Sequence, residues 1–393
     1  MPKAHATLSP SAAVRWINCP GSVRIAALLP PAPSSTYADE GTLAHKIAEN
    51  KVLLASGEIT KKYYDQRLKN ALKSEYYCGE MEETTDYYRD RVMEIYCEGL
   101  KKDSSATVMV EQRLDLSDWA PECFGTADAV VIAGDTIEVI DLKYGKGVRV
   151  EAPGNPQLRL YGLGAASLFG DLYDFKKVRM TIIQPRLDHV STEEMGIVEL
   201  YSWADMVVKP AAAAALDRTA AAPTACGEWC RWCPAKATCR TRAEAMLELA
   251  KYDFQKPPLL QADEIGDVLR EAEELSKWVA DVQGYALEQA LAGEHYDGWK
   301  LVEGRSVRKY ADDVKVAEKL NAAGWDDALI YERKLLGLTA MEKLVGKKKL
   351  TETLGDLIVK PAGKPVLVPI TDKRPEINAA ESAKTDFEET ADG

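Results

Sequence analysis

The stretch GTADAVVIAGDTIEVIDLK, Gly125 to Lys143, decides how this chain folds. Two runs rich in valine, isoleucine and threonine flank the turn dipeptide Gly134-Asp135, so the segment reads as a β-hairpin. Its first strand carries Asp128 and its second carries Asp141 and Lys143. Residues two apart on a strand share a face, so the second carboxylate and the ammonium point the same way. Such a grouping suits a hard divalent ion, Mg²⁺ or Mn²⁺. Carboxylates hold the ion, the ion polarises a phosphodiester and activates water, and the lysine positions the nucleophile or offsets charge. Alone, DLK is a common tripeptide, and a hairpin with solvent-facing acids would carry it equally well.

Working outward, ATVMVEQRLDL (106–116) predicts a further strand before the hairpin, and KKVRMTIIQPRL (176–187) another after it. TYADEGTLAHKIAENKVLLASG (36–57) predicts a helix with an acidic entry and a glycine exit. A polar, tyrosine-rich segment follows, and TTDYYRDRVMEIYCEGLKK (84–102) predicts a second helix, as does QLRLYGLGAASLFG (157–170) between the last two strands. PAAAAALDRTAAAPTA (210–225) is helix or linker, and 262–293 has apolar residues at the spacing of a long amphipathic helix.

The 393 residues, 46% hydrophobic and 28% charged, are those of an ordinary soluble chain of two or three domains. The N-terminus lacks an apolar leader and the chain lacks a run of about 18 apolar residues, so the expectation is a bacterial cytoplasm and no membrane. A net charge of −12 argues against non-specific coating of nucleic acid, which rests on neutralising phosphates. Basic residues gather locally, at Lys143, Lys146, Arg149 and Arg159 and at Arg231, Lys236, Arg240 and Arg242, while SAKTDFEETADG makes the tail acidic.

CGEWCRWCPAKATC, Cys226 to Cys239, holds four of the eight cysteines. In a reducing compartment such clustering means metal or cluster ligation rather than disulfides. Cys230, Cys233 and Cys239 form C-x2-C-x5-C, and Cys19 stands far upstream in WINCPGS; one and three make a site of four. Cys226 with the same three would equally compose a local zinc knuckle. Thiolates of this number suit an iron-sulfur cluster or Zn²⁺. Cys78, Cys97 and Cys123 stand singly and read as ordinary buried thiols.

Two further motifs complete the pattern. EGTLAH puts His45 on the first helix, where an imidazole adds a ligand suited to Mn²⁺. Gln157 and Tyr161, four apart, share a face of the helix after the hairpin. EGTLAH, GTAD, IDLK and QLRLY, in that order, resemble the motifs GTxxH, GxxD, (D/E)xK and QxxxY of the RecB-like nucleases of the PD-(D/E)XK superfamily, over roughly residues 36–185.

That resemblance implies an α/β restriction-endonuclease-like core, a mixed central sheet flanked by helices. It makes His45, Asp128 and Asp141 the metal ligands, Lys143 the catalytic lysine, and Gln157 and Tyr161 the auxiliary pair near the substrate backbone. The cysteines resemble the iron-sulfur, AddB-type branch, in which Cys19, Cys230, Cys233 and Cys239 would bind a [4Fe-4S] cluster clasping the two ends of the nuclease domain; structural Zn²⁺ is the alternative. The ends SPSAAVRWINCPGS and GKPVLVPITDKRPEI look like a phage and prophage family of unknown function.

The resulting expectation is a Mg²⁺- or Mn²⁺-dependent deoxyribonuclease, an exonuclease of phage recombination, replication or DNA end processing. A catalytically silent DNA-binding or scaffold protein is the alternative. Residues 1–250 would form the nuclease domain, 251–370 an accessory, mainly helical region, and 371–393 an acidic disordered tail. DNA is the expected partner, with a separate helicase, annealing protein or single-strand-binding protein, since no G-x-x-x-x-G-K-[ST] stretch is present.

Overall fold

β-branched runs between Thr107 and Gly196 assemble into one five-stranded sheet of order β1-β2-β3-β4-β5. The strands are β1 (Thr107–Asp115), β2 (Phe124–Ala133), β3 (Thr136–Leu142), β4 (Lys177–Gln184) and β5 (His189–Gly196). In this computed structural model the residues described are 6–30, 35–217, 222–250, 262–300, 313–322, 341, 346–354 and 357. All neighbouring strands pair antiparallel except β3 and β4, which run parallel from Thr136↔Lys177 to Leu142↔Ile183. Gly134 takes a φ of +60° in the tight turn between β2 and β3, a conformation that costs glycine nothing. The central strand β3 is buried on both faces, acids included. Its Glu138 receives the Thr181 hydroxyl at 2.6 Å and the Arg179 guanidinium at 3.2 Å, as a buried carboxylate requires.

Helices cover both faces. Before the sheet come α1 (Ala13–Asn18), α2 (Gly21–Ala27), α3 (Thr36–Ala55), α4 (Lys61–Ala71) and α5 (Gly79–Lys102); α6 (Pro156–Phe169) crosses from β3 to β4. After β5 follow α7 (Ile197–Trp203), α8 (Lys209–Leu216), α9 (Arg240–Ala250) and α10 (Ala262–Leu291). One face packs on α6, whose Leu158, Leu160 and Leu163 meet Leu114, Val130, Val178 and Met180 in a core that also takes in Trp16 of α1 and Ala212 of α8. The other packs on α3 and α5, whose Ala48, Val52, Tyr88 and Val92 meet Val108, Ala129, Val131, Ile140 and Ile183. Lys51, buried at 4% exposure, joins these two helices through Glu82 at 2.8 Å and Asp86 at 2.9 Å.

The regular alternation of the sheet breaks at one place. Val108 and Val110 face α3 and α5, yet Leu114, on the same side by strand alternation, packs with α6; on β2 the same switch separates Ala129 from Ala127. The switch falls at Glu111 and Asp128, which oppose each other between the pairs Val110↔Ala129 and Gln112↔Ala127. Glu111 carries the strain, with a φ of +52°.

The expected helix, three strands, helix and strand all form, within a mixed α/β fold whose central sheet is flanked by helices. Three features differ from the sequence reading. The polar stretch after α3 contains α4, whose N-cap Thr60 side chain accepts the Tyr63 amide and whose face buries Tyr64. β5 completes the sheet as an edge strand with mostly polar, half-exposed residues, a pattern with too little apolar alternation to read as a strand. Cys97 is exposed rather than buried, because it lies on the outer face of α5; Cys78 is half-buried and Cys123 buried.

The alanine-rich stretch is helical to Leu216, and residues 218–221 within it lie outside the described residues. So does the acidic tail 371–393. The chain divides into two compact units, Met1–Glu288 and Gln289–Gly393. In the second, the described helices are α11 (Asp313–Ala322) and α12 (Lys347–Leu354). No helix among the described residues is long and apolar enough to cross a membrane.

Candidate metal centre

The ladder between β2 and β3 ends at Ala129↔Ile140, and the next residues on the two strands are Asp128 and Asp141. Beyond that point the Leu142 amide, which would have bonded β2 backbone, instead donates to Asp128 Oδ2 at 2.7 Å. The carboxylate therefore takes the place of a rung and is aimed at the strand opening.

From the α3 side His45 meets it, Nε2 lying 3.3 Å from Asp128 Oδ2. His45 Nδ1 contacts the Gly41 carbonyl at 2.9 Å, one turn back along the helix. With the proton on Nδ1 held by that carbonyl, the Nε2 lone pair faces the centre, the usual arrangement of a ligating imidazole. Burial disfavours the imidazolium, but the Asp128 charge and hydrogen bond outweigh it, and with the Gly41 carbonyl they raise its pKa to about 9.

Asp141 is 4% exposed. Its Oδ1 accepts Gln157 Nε2 at 3.2 Å, and its Oδ2 is ion-paired with Lys143 Nζ at 2.9 Å. Oδ2 is nevertheless a buried oxygen with no hydrogen bond. Desolvation raises the Asp141 pKa and the Asp128 charge adds to it, while Lys143 opposes the shift. Lys143 Nζ donates to Gln157 Oε1 at 2.9 Å, so one amide side chain holds both the acid and the lysine.

The amide is in turn positioned by α6. Asn155 caps that helix, its Oδ1 accepting the Gln157 and Leu158 amides, and Pro156 occupies the first turn, where its missing N–H is not needed. Gln157 Nε2 also lies 3.3 Å from Tyr161 Oη. The Tyr161 ring rests against Gly125, where a Cβ would come within 2.8 Å of Tyr161 Cε1 and 2.9 Å of Pro10 Cγ. The glycine of GTAD thus makes room for the tyrosine of QLRLY.

At the mouth of the β2–β3 opening two polar groups, His45 with Asp128 and Asp141 with Lys143, Gln157 and Tyr161, are bridged by the Leu142 backbone amide that donates to Asp128. Two residues at this place were not among those singled out from the sequence. Glu49 and Glu111 join His45, Lys46 and Asp128 in lining an open cavity of about 480 Å³. Desolvation, with the charges of Asp128 and Glu49, raises the Glu111 pKa to about 7. Glu49 stands one helical turn from His45, which is a readable signal. Glu111 reaches the site only through its left-handed backbone, which no spacing reveals.

Among the described residues no three His, Cys, Asp or Glu side chains stand at metal-ligating positions. The donor chemistry nonetheless suits a hard divalent cation: carboxylate oxygens and one imidazole, with Asp141 Oδ2 buried and lacking a hydrogen bond.

The basic residues around the centre are largely engaged. Lys146 bonds Glu80 at 2.8 Å, Arg149 pairs with Glu151 at 3.0 Å, and Arg159 pairs with Glu193. Arg186, over the Tyr144 ring, ties Glu40 of α3 to Glu80 of α5.

The cysteines gather elsewhere. Cys19 ends α1, and its Sγ accepts the Ala225 amide at 3.4 Å; Gly21 next to it donates to Pro223 O at 2.9 Å. These contacts join segments 206 residues apart in the chain. Cys19, Cys230, Cys233 and Cys239 line one narrow cavity with Arg15, Lys236 and Arg242, and Cys226 lies against Cys230 outside that lining. Burial raises the Cys233 pKa, and burial followed by the neighbouring Cys230 raises that of Cys226 to about 11. Four soft thiols about one cavity, with cations beside them, suit a cluster or metal that takes sulfur ligands. Asp281 of α10 receives both Lys236 and Arg242 at 2.6 Å, so the long helix is latched to the cysteine segment.

A family model described as "Protein of unknown function (DUF2800)" matches residues 5–375. A solved structure described as "Crystal structure of SSO0001" is 14% identical, with 61% of this chain and 88% of that chain covered, at a TM-score of 0.22.

Proposed function

We propose that this chain, which belongs to the DUF2800 family, is a divalent-metal-dependent deoxyribonuclease with a RecB-like PD-(D/E)XK core. The observation that carries the reading is the meeting of two polar groups, His45 with Asp128 and Asp141 with Lys143, Gln157 and Tyr161, where the Leu142 amide of β3 donates to Asp128. A phosphate-binding or purely structural hairpin has no use for two acids, a lysine and an imidazole converging where a sheet opens.

His45, Asp128 and Asp141 would hold Mg²⁺ or Mn²⁺, which when bound supplies Lewis acidity toward a phosphodiester oxygen and the attacking water. Lys143 Nζ, held by Gln157 Oε1 beside Asp141, orients that water and offsets negative charge growing on the phosphate. Gln157 keeps the Asp141 carboxylate turned toward the opening, and Tyr161 fixes the amide's orientation. Incubating end-labelled DNA with the protein and Mn²⁺ should yield cleavage that EDTA stops. Asp141→Ala and Lys143→Ala should each abolish it with the far-UV spectrum unchanged. Cutting by Asp141→Ala at the wild-type rate would remove the site from consideration. Exonuclease action in phage recombination or end processing, with a separate helicase, annealing or single-strand-binding protein, is the setting this reading favours.

For the cysteines we infer a [4Fe-4S] cluster on Cys19, Cys230, Cys233 and Cys239. The support is that an early and a late cysteine segment meet at one cavity, which Cys19 lines together with Cys230, Cys233 and Cys239. Closing so long a loop stabilises the fold. Anaerobically purified protein should be brown, with about four irons per chain. Cys19→Ala should lose colour and thermal stability, and Cys226→Ala should keep both. A colourless protein with one zinc, sensitive to Cys226→Ala and not to Cys19→Ala, would instead select the knuckle.

A further inference from the structure

Between the cysteines that turn inward, two residues turn outward. The short helical turn Glu228–Trp232 is closed by Cys230 N–H to Gly227 O at 2.9 Å, and the next by Cys233 N–H to Cys230 O at 3.0 Å. Cys230 and Cys233 are 8% and 9% exposed, so both ends of the Arg231-Trp232 pair are anchored in the cavity wall. Trp232 itself is 72% exposed. Among the described residues of the first unit it is the one tryptophan left exposed. Its neighbour Trp229, by contrast, folds back and donates Nε1–H to Ala225 O at 2.9 Å.

Exposing an indole on a pinned turn costs apolar area that folding would otherwise bury. The Arg231 guanidinium lies 5.1 Å from the Trp232 ring centroid, covering one face of the indole. The other face is left to a flat partner. Nearby cations cannot serve a phosphate backbone as freely, because Lys236 and Arg242 are both committed to Asp281. In a chain of net charge −12, affinity for a nucleic acid has to come from something other than bulk charge, and stacking supplies it without charge. A duplex exposes a base face only on its terminal pairs, whereas every base of a single strand can offer one.

We propose that the Arg231–Trp232 pair is a stacking platform for an unpaired base of single-stranded DNA, and hence that the nuclease acts on DNA with a single-stranded end or tail. This deepens the nuclease reading and rests on it for the identity of the polymer. The platform is linked to the metal centre through packed helices: the Glu228–Trp232 turn packs on α1, and α1 packs on α6, which carries Gln157 and Tyr161.

The test measures binding without chemistry. Full-length protein in EDTA is titrated into a fluorescein-labelled oligothymidylate and, separately, a labelled blunt duplex, and anisotropy is followed for wild type, Trp232→Ala and Trp232→Phe. Trp232→Ala should weaken the oligothymidylate by about 5- to 150-fold, the worth of one base–aromatic stack. Trp232→Phe should keep most of the affinity, and the duplex should bind all three alike. Unchanged oligothymidylate affinity in Trp232→Ala, equal loss on the duplex, or no single-strand binding by wild type would each overturn the platform. Cleavage with Mn²⁺, assayed in parallel, separates the two readings. Trp232-dependent binding without cleavage by wild type would sink the nuclease and leave the platform standing. Cleavage by wild type with Trp232→Ala binding normally would do the reverse.

Discussion

Two motif glycines, Gly125 and Gly41, should respond to alanine in opposite directions. At Gly125 the added Cβ would sit 2.8 Å from Tyr161 Cε1, 2.9 Å from Pro10 Cγ and 3.3 Å from Pro10 Cδ. Carbon–carbon contact is comfortable only at about 3.5–4.0 Å. Neither neighbour yields easily: Tyr161 is 8% exposed with its hydroxyl beside Gln157, and Pro10 is a rigid ring inside the core contact. Overpacking of this kind costs about 1–3 kcal/mol. At Gly41, inside α3, a Cβ would meet nothing within 4 Å, so alanine should gain about 0.5–1 kcal/mol of helix propensity.

Urea titrations followed by circular dichroism read both, as a lower midpoint for Gly125→Ala and a higher one for Gly41→Ala at unchanged m. Activity should fall in both. The first displaces Tyr161 and with it Gln157, and the second intrudes on the cavity that Gly41 and His45 line. Gly41 would then be a residue kept for its space at the expense of stability. A Gly125→Ala protein as stable as wild type, or a Gly41→Ala protein less stable than it, would refute the packing argument that joins the four motifs.

Further outcomes concern the charges. Because His45 holds its proton up to about pH 9, Mn²⁺ must displace it; its affinity, by calorimetry, should tighten from pH 6 toward 9, and less steeply in His45→Ala. In metal-free protein the sign reverses. The raised His45 pKa contributes stability that is complete below its unfolded value of about 6.5 and is lost as pH rises through about 9, which thermal melts across that window should show. Asp281→Ala strands Arg242, 4% exposed, without its carboxylate, and should destabilise the first unit by about 3 kcal/mol in urea, more than Asp281→Asn.

Much of this protein is legible in its sequence. Period-two runs about Gly134-Asp135 mark the hairpin, the 3.6-residue spacing marks α3, α5 and α6, and the order of EGTLAH, GTAD, IDLK and QLRLY names six residues that do converge. These are local signals, repeated at the period of the backbone that carries them. The edge strand β5 is not legible, because a half-exposed strand with polar residues looks like loop until β4 supplies its partner.

What only the tertiary structure decided lies in places where the chain departs from its own local rules. Glu111 enters the cavity because its φ of +52° turns β1 over opposite Asp128, and a glutamate in a regular strand pattern gives no sign of that. Asp141 is an acid in an apolar run, and its burial, its Gln157 bond and its oxygen without a hydrogen bond exist only once β3 lies between β2 and β4. Asp281 reads as one more charge on a long amphipathic helix until Lys236 and Arg242 meet it. Sequence determines which groups are present and how they repeat; distances between groups far apart in the chain are set by packing. It is packing that gives a carboxylate its neighbours and so its chemistry.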